Sequence, residues 1–174
     1  MTTEFRSAVE KAFAGAAATY ALRTLTENSD RFGSEVVIGN ATTALRLRLE
    51  PREGLFVSLL RIHNTVIPSH DLEDRLRDPI NGFDLDDLIA LRAPDCSVHS
   101  KAPLTEATVQ VALRDYASFL IENGKDILSG DFTVFADLAR CVAARIRRFQ
   151  REGHASGPDS RRFLEAVDQL GLSD

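Results

Sequence analysis

The sequence predicts an α+β fold: an N-terminal helix, a three- to four-stranded antiparallel meander, and C-terminal helices packed on one sheet face. Two observations carry that expectation. Residues 41–62 read as a β-hairpin with period-two patterning, in which Leu45, Leu47 and Leu49 point one way and Arg46 and Arg48 the other. Around this hairpin, apolar residues recur at helical spacing, both ahead of it and in the C-terminal third of the chain.

The elements follow in order. Phe5, Val9, Phe13, Ala17 and Tyr20 form one apolar stripe, which predicts a helix over residues 4–25. Residues 28–33 break it. Ser-Glu-Val-Val-Ile at 34–38 is a short β-branched strand, and Gly39-Asn40 is a turn signal leading into the hairpin. The hairpin turn holds Pro51 and Gly54, residues suited to a four-residue type I loop. The strand that follows, residues 55–62, is apolar on both faces and predicts a central position covered by helices. Residues 71–78 form a charged segment between Pro68 and Pro79 that suits one helical turn or a short edge strand. Asp84 then caps a helix with Asp86 and Asp87 in its first turn, where the helix dipole favours carboxylates, and Leu85, Leu88 and Ile89 face inward. Pro94 stops that helix. Residues 95–103 are a loop. Residues 104–128 are helical, with a nick at Asn123-Gly124. Ser129-Gly130-Asp131 separates this helix from one over residues 132–151. Residues 153–158 are a joint, and the last short helix runs over 158–170. The chain reads as one domain of residues 1–174, with 153–174 as a loosely attached C-terminal helix.

Composition narrows the functional classes. At 174 residues the chain can bury roughly 70% of the surface its unfolded form exposes, so it needs no staples. The net charge of -5 disfavours a dedicated nucleic-acid binder. Arginine outnumbers lysine 18 to 3, a bias that genomic base composition explains. Cys96 and Cys141 have no CxxC partner and build no disulfide framework, which fits a reducing cytoplasm. The N-terminus has no basic region ahead of an apolar core, so it does not read as a signal peptide, and no apolar run approaches a membrane span.

The chemistry-bearing residues each have a structural explanation. Gly130 suits a left-handed helix end, Asp131 a cap for the next helix, and Phe132 the joint between them. Asp84, Asp86 and Asp87 lack the ligand spacing of a calcium loop, and capping plus a solvated face accounts for them, with an acidic surface for a basic partner as a secondary role. The histidines are His63, His70, His99 and His154. Cys96 and His99 are half a zinc site at most, so no metal and no cofactor are expected. No Gly-x-Ser-x-Gly, His-Glu-x-x-His, Walker or Gly-x-Gly-x-x-Gly motif occurs, so no catalytic residue is nominated. Arg140, Arg145, Arg147, Arg148 and Arg151 crowd one helix end, with Arg161 and Arg162 following. The helix dipole accounts for part of this cluster, and the rest suits phosphate or an acidic partner. No aromatic interleaving marks a single-strand platform there.

Taken together, the opening helix, the hairpin, the segment Phe-Asp-Leu-Asp-Asp-Leu-Ile-Ala-Leu-Arg-Ala-Pro at 83–94, and Ile-Leu-Ser-Gly-Asp-Phe-Thr-Val-Phe-Ala-Asp-Leu at 127–138 resemble a group of small bacterial α+β proteins. Some of these sit beside polymorphic toxins and are read as immunity-type proteins. The resemblance spans residues 1–140 and implies a non-catalytic cytoplasmic interaction protein. The sequence therefore nominates Arg46, Arg48, Asp84, Asp86, Asp87, Arg145, Arg147 and Arg148 as partner-binding residues, with the Arg46/Arg48 face open. Two other readings stand beside it: a small-molecule-binding domain or cryptic enzyme with a pocket between sheet and helices, and nucleic-acid binding through the arginines. Sheet edges in so small a meander also raise a homodimer.

Overall fold

A computed structural model describes residues 2–50, 52–96, 105–155 and 157–172. The chain opens with α1 (Thr2–Ala12) and α2 (Ala14–Tyr20). Five strands follow: β1 (Arg23–Ser29), β2 (Ser34–Gly39), β3 (Thr43–Glu50), β4 (Gly54–Arg61) and, after the single helical turn α3 (Leu72–Arg75), β5 (Gly82–Asp84). The remainder is helical: α4 (Leu85–Arg92), α5 (Glu106–Asn123), α6 (Lys125–Leu128), α7 (Val134–Arg151) and α8 (Pro158–Gln169).

The strands lie in sequence order, β1-β2-β3-β4-β5, each antiparallel to the next. This is the expected α+β meander with more strands than the sequence suggests. The added strand at one end is β1. Residues 22–25 extend the N-terminal apolar stripe and so read as helix, but the helix ends at Tyr20, closed by Ala21 in the left-handed region at φ 54. An alanine there gives no stop signal, whereas a glycine would have. Beyond it, Thr24, Thr26 and their neighbours pair with β2 through a register shift between Thr24 and Thr26.

Period two sorts the sheet into two unequal faces. Val36, Ile38, Leu45, Leu47, Leu55, Val57 and Leu59 enter the main core. There they meet Phe5, Val9 and Phe13 of α1, Leu85 and Leu88 of α4, Leu113, Tyr116 and Leu120 of α5, and Phe135, Leu138 and Ala139 of α7. Phe163 and Val167 seat α8 in the same core, and Phe83 packs edge-on against Phe135 at 5.4 Å. The helices thus crowd one face. The other carries a small apolar cluster of Val37, Ala44 and Leu60, with Leu25, Ile62 and Ile67 against it. The second side of β4 is therefore covered at Leu60 by the segment after β4 rather than by helices, and is open at Phe56.

The joint ahead of α7 has the expected left-handed glycine, but its cap residue is Thr133 with no side-chain cap bond, and Asp131 shapes the turn before it. Gly130 has φ 89, and Asp131 Oδ1 accepts the Thr133 N–H at 3.0 Å ahead of α7. The charged segment at 71–78 takes the single-turn option of the two that the sequence left open. The hairpin turn is tighter than expected among its described residues, with Glu50 paired directly to Gly54 and the Glu53 N–H donating to the Glu50 carbonyl at 3.1 Å.

Candidate interaction face

The second sheet face carries the functional candidates. Its polar residues come from four strands in register: Glu35 on β2 lies opposite Arg48 on β3, Arg46 opposite Ser58 on β4, and Ser58 opposite Asp84 on β5. Residues 62–71 cross this face as a strap. Ile62 and Ile67 pack on the small apolar cluster. Arg46 Nη2 donates to the Pro68 carbonyl at 2.6 Å, and His70 Nε2 lies 2.8 Å from Glu35 Oε2.

The strap overturns the expectation of an open Arg46/Arg48 face. Arg46 is only 8% exposed, its guanidinium lying between the sheet and residue 68. Its Nε is 3.8 Å from Glu35 Oε1. Burial lowers its pKa, the Glu35 charge opposes that shift, and Arg75 adds to it. Arg46 is a structural pin under the strap, and no partner reaches it without lifting the strap.

The acidic residues on and beside α4 are also engaged within the fold. Asp84 precedes α4 as its cap residue, but its side chain bonds no helix N–H. It accepts from Ser58 Oγ and from Arg75 Nη2, both at 3.0 Å. Asp86 accepts the Tyr116 hydroxyl at 3.2 Å, and Asp87 accepts Arg145 Nη2 at 2.6 Å. Burial pushes the Asp87 carboxyl above its usual range despite that arginine. Asp84 and Asp86 are exposed, as a solvated face requires, but both are bonded within the fold, and the half-buried Asp87 ties α4 to α7 as Asp86 ties it to α5. Four of the clustered arginines also meet carboxylates of this chain, while Arg151, Arg161 and Arg162 are exposed. Arg145 serves Asp87, Arg147 Nη2 meets Asp168 at 3.0 Å, Arg140 meets Asp137 at 2.9 Å, and the exposed Arg148 sits 3.5 Å from Glu152.

Arg48 differs from Arg46 in that its side chain reaches solvent, 30% exposed. It lies at the end of the second face that the strap leaves clear. Its Nε sits 2.6 Å from Glu50 Oε1 in an ion pair whose angle makes no hydrogen bond, and its terminal nitrogens form none among the described residues. Directly across the strand pair is Phe56, 40% exposed. The β1–β2 turn stands at the same end and presents Phe32, 57% exposed, with the Arg31 guanidinium 4.6 Å above its ring. Asp30 Oδ1 shapes that turn by accepting the Phe32 and Gly33 N–H groups at 2.7 and 2.9 Å. Gly33 is required, since a Cβ there would lie 2.1 Å from the Leu49 carbonyl oxygen. Between turn and strap lies a polar pocket of about 210 Å³ whose walls include Asp30, Glu35, Arg48 and His70.

Sequence reasoning missed Asp30, Phe32, Glu35, Phe56 and the role of His70. The pairing of His70 with Glu35, 35 residues earlier, leaves no local signature. Phe56 was accessible from the strand period, which puts it on the Arg48 side. The Cys96/His99 half-site falls partly outside the described residues. Cys96 and Cys141 are exposed free thiols, and among the described residues no group of three or more His, Cys, Asp or Glu side chains could hold a metal. No helix among them is long and apolar enough to cross a membrane. No family model matches the chain, and no match is found among curated proteins or solved structures.

Proposed function

We propose that this protein is a non-catalytic interaction domain that binds a protein partner through the uncovered end of its second sheet face, centred on Arg48, Phe56 and Phe32. The observation that carries the reading is the coincidence at that end of two exposed aromatic rings with an arginine whose terminal nitrogens make no hydrogen bond among the described residues. Aromatic residues and arginine are the types enriched at protein interfaces and at their energetic centres. An immunity-type or regulatory role in a reducing cytoplasm suits such a domain, and the two exposed thiols are compatible with that setting.

The partner is a different protein rather than a second copy. The free edge strand β1 carries a register irregularity between Thr24 and Thr26 and the charges of Arg23 and Glu27, the devices by which sheet edges resist pairing. Binding of nucleic acid through the arginines is not favoured, because Arg140, Arg145 and Arg147 are held by carboxylates of this chain.

The test places a photoreactive amino acid at position 56, at 32, and at the exposed helical control Gln110, in living source cells. The expected result is one discrete adduct shared by 56 and 32, absent from 110, and lost on Arg48→Glu. An equal pattern from all three positions, or no adduct from any, overturns the proposal.

A further inference from the structure

The polar pocket beside Arg48 has a charge arrangement that the interaction reading does not use. Its walls are the end of β1 and its turn, β2, β3 and the strap, and it includes Asn28, Ser29, Asp30, Glu35, Arg48 and His70. Glu35 is already engaged, with His70 on one oxygen at 2.8 Å and Arg46 3.8 Å from the other. Asp30 and Arg48 are different. Asp30 uses Oδ1 for the turn, and the Phe32 and Gly33 N–H groups hold its carboxyl below the usual range, so it is ionised at neutral pH. Arg48 acts on Asp30 through its charge, yet the two close no ion pair among the described residues. Glu50 lies 2.6 Å from Arg48 Nε, but the terminal nitrogens of Arg48 make no hydrogen bond among the described residues, so a cation and an anion face one pocket with a gap between them.

We propose that this pocket binds a small zwitterion, a free α-amino acid, with its carboxylate on Arg48 and its ammonium on Asp30. The planar fork of a guanidinium matches a carboxylate. A simple anion would meet Asp30 and Glu35, and a simple cation would meet Arg48. A ligand carrying both charges at the short spacing of an α-amino acid satisfies both walls. The size agrees: about 210 Å³ is room for roughly seven groups of water size at ~30 Å³ each. It also lies below the roughly 300 Å³ at which pockets begin to take drug-sized ligands. The site shares Arg48 with the partner reading, but Phe56 and Phe32 are not among its walls, and Asp30 belongs to it alone.

The experiment is calorimetric titration of the full chain with the proteinogenic amino acids at millimolar concentration, followed by the N-acetyl and amide derivatives of any that bind. The expected result is saturable binding by at least one amino acid. Blocking either its ammonium or its carboxylate should weaken binding by about tenfold or more, the scale of one charged hydrogen bond. Asp30→Asn keeps the oxygen that shapes the turn while removing the charge, and it and Arg48→Gln should each cause a comparable loss. Arg147→Gln and Phe56→Ser should leave the affinity unchanged, which separates failure here from failure of the partner reading. Binding by no amino acid, or equal binding of the blocked derivatives, overturns the proposal. The derivative series decides the matter even where Arg48→Gln fails to fold.

Discussion

Arg46 gives the sharpest test of how the second sheet face is built. Two replacements separate its packing from its charge. Arg46→Ala removes a stem that is nearly all buried and the hydrogen bond to the Pro68 carbonyl at 2.6 Å. Lost packing and an orphaned carbonyl together cost roughly 2–4 kcal/mol. Arg46→Met keeps most of the stem. It still orphans the carbonyl, at roughly 1–3 kcal/mol, but it relieves the burial of a charge. Relief is expected because burial is the dominant influence on Arg46, and the repelling Arg75 charge adds to it. Glu35 keeps His70 as its partner, so the methionine variant strands no carboxylate. The expected outcome is a loss within about 1 kcal/mol for Met and about 3 kcal/mol for Ala. At ~3 °C per kcal/mol for a chain this long, melting falls by about 3 °C and 9 °C respectively. Urea titration with a thermal scan measures both, and hydrogen exchange at the Val66 N–H, which bonds the His63 carbonyl at 2.9 Å, reports strap release. If methionine costs about 3 kcal/mol, the charge itself stabilises the fold and the argument from burial is wrong. If alanine costs less than about 0.5 kcal/mol, Arg46 is not the pin described here.

Three further outcomes follow from particular contacts. Thr43→Val removes a hydroxyl that donates to the Ile127 carbonyl at 2.6 Å; that carbonyl also accepts the Gly130 N–H, so the loss should be about 1 kcal/mol by urea midpoint. Gly130→Ala should cost more than Gly153→Ala. Both glycines have positive φ, but a Cβ at 130 meets Thr42 Oγ1 at 2.7 Å while one at 153 meets nothing, so equal losses in the same titration would refute the clash. Asp87 titrates above its usual value when folded, so wild-type stability contributed by it falls as pH rises from the unfolded carboxyl value through the raised one. Asp87→Asn has no such dependence, and the stability of the variant relative to wild type should therefore rise with pH across that window; a flat or falling difference in urea titrations refutes it.

Legibility from the sequence followed the range of the interactions. The hairpin was readable because Leu45, Arg46, Leu47 and Arg48 state the strand period within four residues. The Gly130-Asp131 joint was readable for a similar reason: a left-handed glycine and an Asx turn are decided by residues in contact along the chain. β1 was not, since its stop signal is an alanine in a rare conformation and its strand character is settled by pairing with β2. Period two also correctly put Arg46 and Arg48 on the face away from the leucines. It could not say that residues 62–71 would fold back over one and spare the other. That outcome depends on Ile62 and Ile67 finding Val37 and Ala44, contacts that span about twenty to thirty residues, beside the nearby Leu60.

The same distinction explains why residue type misled over the acidic trio. Asp84, Asp86 and Asp87 sit where the helix dipole would favour them, and local reasoning stops there. In the fold each reaches a different element: Asp84 to β4 and α3, Asp86 to α5, Asp87 to α7. With no disulfide, these bonds fix the angle of α4 between the sheet and two long helices. Asp87 does so at a cost, since burial raises its carboxyl pKa against the pull of Arg145. Such a bond specifies geometry more than it adds stability. Many of the arginines that composition advertises meet carboxylates of this chain in the same way, including four in the cluster at the end of α7. Recognition is then expected where that pairing runs out, at the sheet end where Arg48 faces Phe56 across one strand pair and Asp30 across a pocket.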